Sequence, residues 1–294
     1  MVALVLLPIE VGEAGWLSDV LKGASKQSQQ PKRVAPAKRR VAKAAARKPM
    51  ALRSSASKPV AATCNPAKFR IVVDVGHTAE SEGAISARNV SEFVYNLRLA
   101  QRIEEQLKAE GFAETKLLLT EGKARASLNR RVAAANNLPA DLFLSIHHDS
   151  VPNKFLEDWE FGGRKSRFSD RFNGYSVFVS NNNPEFKTSL SIAELLAKEL
   201  KGRGLRYAEQ YSQPVMGRYQ HPLLNKETGV YSYDKLIVLK KTRMAAVLLE
   251  AGSIINRDEE LRMDSPEHRN IISSGVAAAI KEFCDRRWGI LGPL

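Results

Sequence analysis

The chain has 294 residues, 44% of them hydrophobic and 26% charged, which suits one sizeable α/β domain with chain to spare. Its net charge of +13 is uneven: residues 1–69 hold 13 of the 45 Lys/Arg and 3 of the 32 Asp/Glu, leaving 32 against 29 for residues 70–294. The basicity therefore belongs to the N-terminal segment and says little about the folded part. Two cysteines, Cys64 and Cys284, form no C-x-x-C pair; this excludes a cysteine-based zinc site and leaves two inert thiols or one disulfide. No stretch reaches the roughly 18 apolar residues of a membrane span.

Residues 1–23 begin with a short apolar run, Met1 to Pro8, without a positive n-region and with Glu10 and Glu13 close behind. They read either as a degenerate signal or targeting segment or as an ordinary N-terminus. Residues 24–68 read as a disordered basic linker. Up to residue 66 they are rich in Ala, Lys, Arg, Ser, Gln and Pro and hold no aromatic, so they cannot bury enough apolar surface to offset the entropy of ordering. Lys38-Arg39-Arg40 with Lys43, Arg47 and Lys48 is either a solvated face or a patch attracting an anionic polymer. The absence of interleaved aromatics argues against nucleic acid.

A single catalytic domain is expected over 69–288. Arg70–Val75 is a β-branched apolar run ending in Gly76-His77, a strand and then a turn. Residues 92–110 carry apolar positions at helical spacing, with Ser91 to cap the helix and Gly111 to end it. Lys116–Thr120 reads as a strand, 128–138 as a helix stopped by Pro139, and Leu142–Ile146 as an apolar strand running into His147-His148. Residues 152–174 read as a long loop, Tyr175–Ser180 as a strand and Pro184–Lys201 as a helix. After an irregular stretch at 206–234, strands are expected at Leu236–Leu239 and Ala245–Glu250, and a last helix from Pro266 to Cys284. Alternating apolar strands and helices predict a mainly parallel, twisted sheet covered by helices on both faces.

Such sheets bind ligands at the carboxyl ends of their strands. His77, His147 and Glu250 each stand at that end of an expected strand, and Glu92 stands at the start of the helix after the first. Two imidazoles and a carboxylate are a common catalytic zinc set, leaving a position for water whose pKa falls to about 7. Glu250, ending an apolar strand, suits a general base whose pKa burial lifts. Of the other histidines, His148 should point away from His147 in extended backbone. His221, in the irregular stretch, is expected at the surface or, alternatively, touching the site, and His268 is expected at the surface.

The fragments Ile71-Val-Val-Asp-Val-Gly-His77, Ser91-Glu92, Leu119-Thr120, Leu128-x-x-Arg131 with Ala135-Asn136, Ser145-Ile146-His147 and Leu248-Leu249-Glu250-Ala251-Gly252 with Asn256 and Glu259 stand in one order. In that order they resemble the zinc-dependent N-acetylmuramoyl-L-alanine amidases of the His-Glu-His type, amidase family 3. The resemblance spans about Arg70 to Phe283. It implies one zinc ion on His77, Glu92 and His147, with Glu250 catalytic. It also implies hydrolysis of the amide between N-acetylmuramic acid and L-alanine in peptidoglycan, at a periplasmic or otherwise extracytoplasmic place, under a regulatory activator protein. Departures are Thr78 to Gly83 in place of a Gly-Asp-rich loop, Glu121 for an Arg, and Ser253 for an aromatic. No substrate-binding residue is marked. Rival readings are a zinc carboxypeptidase or other peptide amidohydrolase, and an amidase-like module that only grips cell wall. At least one of the stretches 152–174 and 206–234 is expected to border the groove. Cys64 and Cys284 fall at the opposite edge, where an oxidising compartment would allow them to pair.

Overall fold

The computed structural model describes residues 64–291, so the expectations for residues 1–23 and most of 24–68 lie outside the described residues. Seven strands form one sheet in the order β2-β1-β3-β9-β6-β8-β7. They are β1 (Ile71–Val75), β2 (Thr115–Leu118), β3 (Leu142–Asp149), β6 (Ser176–Val179), β7 (Leu223–Asn225), β8 (Val230–Ser232) and β9 (Ala245–Ser253). β2, β1, β3 and β9 are mutually parallel; β6 runs antiparallel to β9 and parallel to β8, and β7 reverses again. The mainly parallel sheet expected from the sequence is present.

Period-two alternation divides the strand residues between two cores. Ile71, Val73, Leu142, Leu144, Val247 and Leu249 pack with α1 (Glu92–Ala109), α3 (Phe186–Gly202) and α6 (Pro266–Leu291). Val72, Phe143, Ala246 and Leu248 pack on the other face with α2 (Ala124–Asn137) and the short α4 (Ile237–Lys241). Helices therefore cover both faces. α5 (Arg257–Met263) follows β9 and is capped by Asn256, whose side chain accepts from the N–H groups of Asp258 and Glu259.

Four local expectations change, the first being that the stretch 206–234, expected to be irregular, holds β7 and β8 of the main sheet and two 3-10 turns. The strand expected at Leu236–Leu239 is the start of α4. A four-residue apolar run fits a strand or a buried helix turn equally, and Val238 and Leu239 are buried in that turn. The loop expected over 152–174 contains a hairpin, β4 (Glu157–Phe161) and β5 (Arg164–Phe168). Its two-residue turn, Gly162-Gly163, has φ of 59° and 73°, which glycine adopts without strain. The expected Ser91 cap makes no side-chain bond. Instead the carbonyls of Ala84 and Glu82 accept from the N–H groups of Glu92 and Phe93.

Cys64 and Cys284 form a disulfide with a Cα–Cα distance of 4.9 Å, tying the chain before β1 to the last helix. No helix among the described residues is long and apolar enough to cross a membrane.

Candidate metal centre

Strand register builds the site. Val75 of β1 lies beside Ile146 of β3, and His147 lies beside Glu250 of β9. The ends of three adjacent strands thus bring His77, His147 and Glu250 to one edge of the sheet. The loop at 82–84 folds the first turn of α1 over the same edge and delivers Glu92.

His77, Glu92 and His147 are buried together, and their ligand atoms all lie within 4.8 Å of one another. Glu92 Oε2 is 3.0 Å from His77 Nε2, and Glu92 Oε1 is 2.9 Å from His147 Nδ1. The carboxylate also accepts from the backbone N–H of Ala84 at 3.1 Å and from Asn96 Nδ2 at 3.1 Å. Burial alone would raise the Glu92 pKa, but the charge of His77 and the hydrogen bonds from both imidazoles bring it well below the usual carboxylate range. Burial presses His147 down to about 4 against the pull of Glu92, so its imidazole is neutral, the form that ligates metal. The donor set, buried and with one ionised carboxylate between two imidazoles, fits a divalent cation of the zinc type.

Two glycines let the groups approach. A Cβ on Gly76 would sit 2.5 Å from the His147 ring. A Cβ on Gly83, at φ +81°, would sit 2.5 Å from Glu92 Oε2 and 2.7 Å from the His77 ring. His77 itself has φ 65°, a left-handed conformation uncommon outside glycine, which turns its ring back over the end of β1. Its carbonyl accepts from Arg131 Nη2 at 2.7 Å. The buried Arg131 also binds Thr120 Oγ1 and pairs with Asp74 at 3.0 Å.

Glu250 lines a narrow chamber of about 60 Å³ together with Glu92, Asp149, Tyr211, His221 and Tyr233. Its Oε2 is buried with no hydrogen-bond partner. Burial, then the nearby carboxylates of Asp149 and Glu92, raise its pKa well above the usual range. Asp149 is likewise lifted to about 7 by burial, and it accepts a hydrogen bond from the Tyr211 hydroxyl.

All four residues singled out in the sequence therefore meet at one edge. His148 lies outside the three-residue cluster but does not leave the site, contrary to expectation: it lines the same chamber, and its Nδ1 is 2.8 Å from Asn96 Oδ1. Because Asn96 Nδ2 donates to Glu92 and to the Gly76 carbonyl, its Oδ1 must accept, so His148 Nδ1 carries a proton. For His221 the alternative holds, and His268 is a correction. His221 stands in the chamber wall 4.3 Å from the Tyr233 ring, and His268 is only 8% exposed. Asn96 and Tyr211 were not singled out. Asn96 stands four residues after Glu92 on α1, a spacing that offered a signal; Tyr211 arrives from an irregular stretch and offered none.

The family model described as N-acetylmuramoyl-L-alanine amidase matches residues 71–282. A probable cell wall amidase, LytH of Staphylococcus saprophyticus, is 26% identical over 72% of this chain and 57% of its own length, so the chain spans a little over half of that relative. The solved catalytic domain of CwlV, an N-acetylmuramoyl-L-alanine amidase of Bacillus (Paenibacillus) polymyxa, is 26% identical with a TM-score of 0.52, covering 74% of this chain and 98% of that one. The CwlD amidase of Clostridioides difficile, solved in complex with the GerS lipoprotein, shares the fold at 18% identity and a TM-score of 0.53, covering 74% and 99%. With most of the described residues inside the family match, the chain belongs to the N-acetylmuramoyl-L-alanine amidase family.

Proposed function

We propose that this chain hydrolyses the amide between the lactyl group of N-acetylmuramic acid and L-alanine in peptidoglycan. The observation that carries the reading is the buried His77–Glu92–His147 cluster with Glu250 beside His147 in the sheet register. His77, Glu92 and His147 would hold one zinc ion, which supplies a Lewis acid and a water of lowered pKa. Glu250 takes the water proton through Oε2, the oxygen left without a partner, and returns it to the departing alanine nitrogen. Burial and the carboxylates of Asp149 and Glu92 raise the Glu250 pKa, the direction that favours holding a proton between taking it from water and returning it. Asn96 and the Ala84 N–H hold Glu92 in place. The walls from Tyr211, His221 and Tyr233 limit water around Glu250.

The family match and the solved relative of the same name favour this reading over a carboxypeptidase or a mere binding module. The domain is taken as residues 69–288, with the preceding basic segment as a linker. The action is extracytoplasmic, in the periplasm or its equivalent, which the Cys64–Cys284 disulfide supports. A regulatory activator protein is proposed by analogy with the lipoprotein bound to CwlD. The test is Glu250→Gln: the variant should keep one equivalent of zinc and lose at least about a hundredfold in turnover of purified muropeptides. Turnover within a few fold of the parent would remove Glu250 from the reaction.

A further inference from the structure

A second concavity opens at the same edge of the sheet. β6 begins at Ser176, opposite Glu250, and just before it Tyr175 and the segment Arg206–Ala208 are joined by two backbone hydrogen bonds. Around that junction lies a groove of about 670 Å³, the size of an ordinary ligand site. Its rim carries four cations, Arg171, Lys201, Arg206 and Lys226, against two carboxylates, Glu209 and Glu227. Lys201 Nζ is held by the Glu227 carbonyl at 2.8 Å, and Arg171 stacks over the Phe172 ring. No ion pair joins Arg171, Arg206 or Lys226 to a carboxylate among the described residues. In the wall stands Gln210, 5% exposed, whose Nε2 has no hydrogen-bond partner. A buried amide donor without a partner is unfavourable, so it marks a place where an acceptor belongs.

The groove adjoins the reaction chamber. Gln210 lines the groove, and its neighbour Tyr211 lines the chamber and donates to Asp149. Both residues belong to one short 3-10 turn, Glu209–Ser212. The groove and the chamber thus stand on either side of this one turn.

We propose that the groove is a subsite for the carboxylates of the substrate's peptide, with Arg171 and Arg206 meeting their charge and Gln210 donating a hydrogen bond. This rests on the amidase reading given above, and it adds what selects the peptide. The groove then recognises the part of the substrate that leaves with the new amine. Substrates whose peptide carboxylates are amidated lose its contribution.

The test is Arg171→Gln/Arg206→Gln, two exposed positions outside the zinc and Glu250 machinery, made in the zinc-loaded parent and in the Glu250→Gln protein. The probes are a muramyl tripeptide with free carboxylates and the same tripeptide with its carboxylates amidated. In the Glu250→Gln protein, calorimetry should show the Kd for the acidic peptide rising about five- to tenfold, while the amidated peptide binds both versions alike. In the active protein KM for the acidic peptide should rise by a similar factor, with kcat within twofold. Equal Kd values for the acidic peptide, or equal losses for both peptides, would overturn the subsite. So would displacement of the peptide by an equimolar amount of acetate, which would mark unspecific attraction of anions. Failure to cleave with the binding difference intact would reject the amidase reading and leave the groove standing as a peptide-carboxylate site.

Discussion

Arg131→Met removes the group that ties the first zinc-ligand turn to the sheet. The guanidinium is 1% exposed and holds Asp74, the His77 carbonyl and Thr120 Oγ1. Asp74 is fully buried, and burial pushes its carboxyl up to about 6 in spite of Arg131 and the hydrogen bond from Ser145. Removing one partner of a buried ion pair costs about 3–5 kcal/mol, and that is the loss expected at pH 7 in urea denaturation. Without Arg131 the Asp74 pKa rises further, so at pH 5 the carboxyl is protonated in both folded proteins. The folded state of the variant then holds a proton that the unfolded chain binds more weakly, and stability recovers as pH falls. With about 1.4 kcal/mol per pKa unit, the gap between variant and wild type should narrow by about 1 kcal/mol or more at pH 5. Asp74→Asn in the same background should restore about 1–2 kcal/mol at pH 7 by removing the unpaired charge. A loss below about 1 kcal/mol at pH 7, or an equal loss at both pH values with no rescue by Asp74→Asn, would refute this account of the pair.

Gly83→Ala tests the close approach at the cluster. Left-handed backbone costs an alanine about 1 kcal/mol, and the added Cβ meets Glu92 and His77. Zinc affinity measured by chelator competition should fall at least about tenfold while the fold persists; wild-type affinity would contradict the geometry. His221 tests the chamber wall. Burial holds its folded pKa at about 4, so between about pH 6.5 and 4 the unfolded chain binds a proton that the folded chain refuses. Its stabilisation is complete above that window and lost as pH falls through it. From pH 7 to pH 4.5, His221→Phe should lose about 2–3 kcal/mol less stability than wild type, and parallel pH curves would count against it.

Much of the centre was legible because each ligand sits at a point of strong local signal. The β-branched run before Gly76-His77 and the apolar run before His147 mark strand ends, and Glu92 opens a helix of clear period. Parallel sheet geometry then brings such ends together without any knowledge of side-chain contacts. What pairs with what was not legible. His77 turns back through a positive φ that no periodicity announces, and Arg131 reaches its three partners across 11 to 57 positions of sequence. His268 was misplaced because a polar helix start suggests exposure, whereas burial depends on what packs over it. Tyr211 and His221 come from a stretch without period, so only the fold shows that they wall the chamber. The hairpin in 152–174 did carry one signal, the Gly162-Gly163 pair between the two short runs that face each other with Trp159 opposite Ser166.

The central claim is the identity of the bond that is cut, and mass spectrometry of the products tests it most directly. Purified muropeptides, incubated with the zinc-loaded chain, should yield a free peptide with L-alanine at its new amino terminus and a sugar that keeps its lactyl carboxylate. The same digest with Glu250→Gln should return the substrate intact. Release of a carboxy-terminal residue, with the bond between muramic acid and alanine untouched, would contradict the account.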